Sequence, residues 1–348
     1  MKPSLVLSDE QCSKRFGPRK GEEEEGPSAV AGDKNREYQK EKEEILSENS
    51  FPPISVEHET NIENEFSVLI DNEKSYEDQN KKGRQLFLSL FKTGSVNNLK
   101  LVDEEIEKLD EVNENLASML SLQIDRQICN ARKFLPFNQP SKDRNLFHSN
   151  GKINIADVLS TLIEQTVLVL KHNKHFNSLP KGDQAELVEE NVLVASLISC
   201  FQLYNRKQKK ITWSMAEADF KYLRSSTIKT ESARVSFGLQ EVLQSAEKDI
   251  QKDIMKIFSF FEYFSQIGLT KQAINLLIVV LIFIHDNLNL EDKKTVEDHR
   301  SYYLLLLYDC LSQTEGVLGA CNIAAKLHTS LHTLHRLCQI LGQRMVSI

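Results

Sequence analysis

The sequence has no C-x2-C pair, so it lacks the cysteine spacing from which zinc fingers and zinc ribbons are built. It also lacks GxSxG, HExxH, a Walker-type phosphate loop and GxGxxG, and shows no paired acids with a nearby base on a clean helical face. The common hydrolase, metalloprotease and nucleotide-binding readings therefore find no footing. Long apolar runs are missing as well. The longest, Leu276 to Ile284, falls far short of the ~18 residues a membrane span needs, and no N-terminal apolar segment suggests secretion. The six cysteines lie far apart, and three of them sit inside apolar helical patterns where a thiol behaves as a small hydrophobe. The expectation is a soluble, intracellular protein in a reducing compartment.

Charge is unevenly spread over the 348 residues. Through Lys82 there are 12 Lys/Arg against 20 Asp/Glu, a net of −8; the whole chain is −7, so the remainder carries about +1. With Gly17-Pro18, the Glu22 to Glu25 run, Gly26-Pro27 and Pro52-Pro53, residues 1–82 read as an acidic, disordered tail. Residues 83–150 hold weaker helical patterns, Arg84 to Phe91 and Asp103 to Phe134, expected as peripheral helices followed by a loop at Pro136, Pro140 and Gly151. The expected core is 151–348. Lys207, Lys209 and Lys210 lack the interleaved aromatics of a nucleic-acid surface and read as a solvated loop.

The core is organised around Ile155 to Cys200. Ile155, Val158, Leu159, Leu162, Ile163, Val167 and Leu170 recur at three- and four-residue steps, which predicts a long amphipathic helix with Asn154 as its cap. Its stripe stops at Lys171 to Lys174, Phe176 and Leu179 dip back toward the core, and Pro180 and Gly182 predict a break before a second helix from Asp183 to Cys200. Phe237 to Ile267 is expected as helix, with Gly268 as a left-handed cap and Thr270 capping the next one. Ile274 to Ile284 is apolar around its whole circumference, so other helices must surround it. Ala320, Ala324, Leu327, Leu331, Leu334, Cys338 and Leu341 form a heptad seam suited to another helix. His328, His332 and His335, four and three residues apart, could approach one metal ion, but no carboxylate or cysteine joins them locally, and exposed or interfacial histidines account for the pattern.

The series Phe176-x-x-Leu179-x-x-x-Asp183-Gln184-x-x-Leu187, following a helix that ends at Lys171, resembles the signature of the nuclear receptor ligand-binding domain. Leu269-Thr270-x-x-Ala273-x-x-Leu276-Leu277, Asp286, Leu290, Asp292 and the helix from about Lys293 to Leu311 resemble its eighth and ninth helices, so the likeness runs in order from about Ile153 to Met345. Met1 to Glu10 resembles the segment that follows the second zinc finger in the vitamin D receptor-like group; on that likeness Met1 is an internal methionine and a DNA-binding domain lies upstream.

The resemblance implies an all-α, three-layer antiparallel helical sandwich, and a transcription regulator of the nucleus rather than an enzyme. It implies a pocket for a lipophilic molecule at Leu159, Leu162, Ile163, Thr166, Ser196, Ser199 and Trp213, or a cavity filled by side chains. The coregulator groove falls at Lys171, Phe176, Gln184, Leu187 and Glu189, where Lys171 matches one groove lysine and Glu189 replaces the other. With no twelfth helix expected after the last long one, the groove is expected to take a corepressor helix. The face for a retinoid X receptor-type partner or a second copy falls at Leu327, Leu331 and Leu334, unless these pack only internally. No cofactor is expected; zinc would belong to an upstream domain, and DNA would be reached only through that domain or a partner. A ligand-independent dimerisation and corepressor module is the competing reading.

Overall fold

A computed structural model describes residues 75–93, 114–134, 155–214, 234–246, 248–286 and 288–346. The expected tail up to residue 74, the loop after Phe134 and the expected cap Asn154 lie outside them. The described residues are mostly helical, with one small antiparallel sheet. In chain order the elements are α1 (Tyr76–Thr93), α2 (Glu114–Phe134), α3 (Ile155–Leu170), α4 (Lys174–Ser178) and α5 (Lys181–Phe201). The strands β1 (Tyr204–Asn205), β2 (Lys210–Ser214) and β3 (Arg234–Gly238) follow, then α6 (Leu239–Ser245), α7 (Lys248–Ile267), α8 (Lys271–Ile282) and α9 (Lys293–Val346). Among the described residues no helix is long and apolar enough to cross a membrane.

The centre is α8. Every residue from Ala273 to Phe283 is buried, and α2, α5 and α9 all pack on it. Thr270 accepts the Ala273 N–H to cap its start, and Gly268 before it has φ +78, the left-handed conformation expected there. Against this frame α3 packs between α2 and α5, and α7 packs on α9.

Two expectations change. The helix placed at the margin is core: α1 carries Leu86, Phe87, Leu88 and Leu90 at 2% exposure or less and packs along α9. It begins at Tyr76, inside the stretch assigned to the tail, because Ser75 accepts the Asp78 N–H and donates to the Asp78 carboxylate, a local cap strong enough to start a helix in acidic sequence. Gly83 allows close approach, since a Cβ there would stand 2.3 Å from the Tyr308 hydroxyl oxygen; beside it Arg84 pairs with Asp309 at 3.0 Å. The second change is at Phe237, which lies in β3 rather than in a helix. Ile211 of β2 stands opposite it, both side chains are buried, and the Thr212 and Ser236 hydroxyls bond on the other face at 2.9 Å. The Gly238 N–H donates to Glu241, starting α6 after the strand, and the chain is extended at Ala246 before α7.

One long helical run closes the fold. α9 is broken at Gly316, whose φ of 75° and ψ of 173° belong to a region open in practice to glycine alone, so its two arms take different directions. Gly316→Ala is expected to lower unfolding free energy by ~1–3 kcal/mol through backbone strain, although no atom stands within 4 Å of the added Cβ. Gly182→Ala, equally unobstructed but in the ordinary backbone of the first turn of α5, is expected to be neutral or stabilising by up to ~1 kcal/mol. Urea unfolding of both variants checks the contrast.

Candidate functional site

The corner between α3 and α5 is built from its own polar side chains. Lys171 and His172 form a turn after α3; the Asn173 carboxamide oxygen then accepts the Phe176 N–H and caps α4, a helix the apolar periodicity did not show. Phe176 and Leu179 are buried beneath the turn. The chain breaks at Pro180 as expected, with Pro180 itself the cap of α5, whereas Gly182 lies inside the helix. The Gln184 amide donates to the Leu179 carbonyl at 2.8 Å, tying the start of α5 to the end of the turn.

Asp183 is buried at 3% exposure and pairs with no cation among the described residues; its two carboxylate oxygens accept the backbone N–H groups of Glu291 (2.8 Å) and Asp292 (2.9 Å) at the entrance to α9. Asp292 in turn caps α9 by accepting the Thr295 N–H. Two helical turns along α5, on the same face, Asn191 donates to the carbonyls of Ile282 (3.3 Å) and Ile284 (2.7 Å) at the end of α8. The pair Asp183 and Asn191 therefore grips both ends of the connection from α8 to α9.

The groove residues separate by depth. Phe176 and Leu187 are core, Gln184 is half-buried and bonded within the corner, while Lys171 and Glu189 are exposed. Of the pocket positions, Leu159, Leu162, Thr166 and Ser196 are buried, and Ile163 and Ser199 are half-buried. Trp213 falls in β2, with its side chain outside the described residues. α3 and α5 bring Thr166 and Ser196 together: the Ser196 hydroxyl bonds that of Thr166 at 2.9 Å, and Thr166 donates to the Leu162 carbonyl at 3.0 Å. These two hydroxyls stitch helix to helix.

Leu327, Leu331 and Leu334, which the resemblance assigned to a partner face unless they packed internally, are buried within the chain at 0%, 6% and 0% exposure. Among its described residues this arm exposes Leu318 near its start and His332, Arg336, Gln339 and Ile340 further along. One of the histidines meets a carboxylate that no local spacing could reveal: Glu190 of α5 lies 2.9 Å from His335 Nε2 and accepts from Gln339 at 3.0 Å. Among the described residues no three His, Cys, Asp or Glu side chains are grouped to hold a metal. Four thiols, Cys200, Cys310, Cys321 and Cys338, are buried, and burial pushes Cys321 and Cys338 up to about 12.

No model of a known protein family and no curated protein matches this chain.

A titratable cluster lies against the corner. The Tyr303 hydroxyl accepts from the Asn173 amide at 2.9 Å, which leaves its proton for His175 Nδ1 at 3.1 Å. His175 stacks on His299 with ring centroids 4.6 Å apart. Burial first, then His299 and Lys174, lower His175 to about 4, and burial lowers His299 as well. A neutral imidazole in the fold against an ordinary value near 6.5 in the unfolded chain means that the folded state binds fewer protons. This contribution is therefore complete above about pH 6.5 and is lost as pH falls toward 4. The melting temperature is expected to fall between pH 7 and pH 5, and His175→Phe to flatten that fall. Calorimetry across this range checks it, and parallel profiles would contradict the assignment.

Proposed function

We propose that the chain is a nuclear receptor-type ligand-binding domain, a transcription regulator of the nucleus that binds partner receptors and corepressor helices and performs no catalysis. The observation that carries this reading is the corner: Phe176, Leu179, Asp183 and Gln184, the residues of the resemblance, are the ones that build it, with Asp183 linked to the connection between α8 and α9. On this reading the helices form a three-layer antiparallel sandwich with α8 in its middle layer, which its all-round burial supports. The heterodimer partner, of retinoid X receptor type, or a second copy meets the C-terminal arm of α9 through His332, Arg336 and Ile340 rather than through the buried leucines. DNA is reached through that partner or through a domain outside these residues.

The exposed Lys171, at the C-terminal end of α3, is suited to hold the negative end of a docked helix. The exposed Glu189 stands where a second lysine would be expected in a coactivator groove, which favours a corepressor helix. A second reading has one observation in its favour: the Thr166 and Ser196 hydroxyls are bonded to each other and to helix carbonyls, so neither is left as a polar anchor. On it the domain is a dimerisation and corepressor module that takes no lipophilic ligand between α3 and α5.

Fluorescence anisotropy with a labelled corepressor-type amphipathic peptide tests the groove. Binding to the parent and a loss of about fivefold or more in Lys171→Glu are expected, in keeping with a charge at a helix end. No binding, or equal binding by the variant, would remove the groove from the account.

A further inference from the structure

A cleft of about 510 Å³ opens between the end of α8, the segment after it and the C-terminal arm of α9. That is within the range of about 300–1,000 Å³ in which small organic ligands are held. Part of its lining is apolar and comes from three elements, with Phe91 of α1, Val280 and Leu281 of α8 and Leu331 of α9 among them. The rest is nitrogen-rich. The arm presents His328, His332, His335 and Arg336, at four-, three- and one-residue steps along one side of the helix, and Arg300 contributes from the other arm.

The acids in the lining are already engaged. Glu190 is shared by His335 and Gln339, and Asp286 lies 3.0 Å from Arg300. Arg300 itself is 4% exposed: one terminal nitrogen is on Asp286, the other donates to the Phe91 carbonyl at 2.9 Å, and its buried Nε–H has no hydrogen-bond partner among the described residues. Arg336, exposed on the rim, takes part in no ion pair among the described residues. Two guanidinium groups thus face two acids, of which one is bonded to Arg300 and the other to an imidazole and an amide. This leaves the Arg336 rim with cationic character beside an apolar wall.

We propose that this cleft is a binding site for a small amphipathic carboxylate, its apolar body against Phe91, Val280 and Leu281 and its carboxylate on Arg336 and His332 at the mouth. A single negative charge fits better than a dianion such as a phosphate monoester, which would face Glu190 and Asp286 with one unpaired guanidinium to balance it. The site is separate from the α3–α5 positions; it shares His332 and Arg336 with the partner face proposed above, and its test, made on the chain alone, does not depend on the receptor reading.

Titration calorimetry of the full chain with decanoate tests the proposal, with decanol as the uncharged probe of the same body. Decanoate is expected to bind at least about tenfold more tightly than decanol, the scale of a charge-assisted contact. Arg336→Ser, an exposed change, is expected to remove most of that preference without altering the melting temperature of the free protein, and Arg336→Lys to retain part of it. Decanoate binding equally to the parent and to Arg336→Ser would place the ligand elsewhere and overturn the assignment. Equal affinity for decanol, or no decanoate binding, would overturn it too.

Discussion

One face of α5 holds both ends of the connection between α8 and α9. Asp183 accepts two backbone N–H groups at the entrance to α9, and Asn191 donates to two carbonyls at the exit from α8. Such groups would otherwise be unsatisfied where the chain leaves one helix and enters the next, and a buried carboxylate without donors would be costly. The two requirements answer each other. Because Asp183 also opens α5 directly after the corner, the same bonds fix where the exposed end of α3 stands relative to the core.

Around this clamp the remaining elements take their places by enclosure. α8 is apolar on every side and is stable only when surrounded, which α2, α5 and α9 accomplish. α1 lies along α9, and its C-terminal end meets the same connection: Arg300 joins Asp286 to the Phe91 carbonyl, while Glu297 contacts both Lys92 and His285. The connection is thus held from α5 on one side and from α1 and α9 on the other. The nitrogen-rich cleft opens beside it.

Patterns confined to one helix were legible in the sequence; partners distant in the chain were not. Helix α3, the all-round apolar run of α8, Gly268 and the Thr270 cap follow from spacing and local chemistry, and the structure has each, although of the α3 stripe only Leu159, Leu162 and Leu170 are buried while Ile155, Val158, Ile163 and Val167 are half-buried. The start of α1 had a readable signal in Ser75-x-x-Asp78, outweighed by the acidic composition around it. Its burial did not, because the closeness of Gly83 to Tyr308 joins residues more than two hundred positions apart. The heptad of the last arm states only that some helix covers it, and burial shows that this chain covers Leu327, Leu331 and Leu334 itself. At the corner, Asp183 and Gln184 stood out through the resemblance, but the Glu291 and Asp292 amides that give Asp183 its role, like the Glu190 carboxylate at His335, are supplied from afar.

The clamp is most directly tested by native-state hydrogen exchange resolved to single amides. In regular loops such amides exchange freely, whereas those bonded to a buried carboxylate are released only when the surrounding structure opens. The N–H groups of Glu291 and Asp292 should exchange as slowly as those in the middle of α8, through the same opening event. Exchange of these two amides at the rate of an exposed loop, while α8 stays protected, would contradict the account.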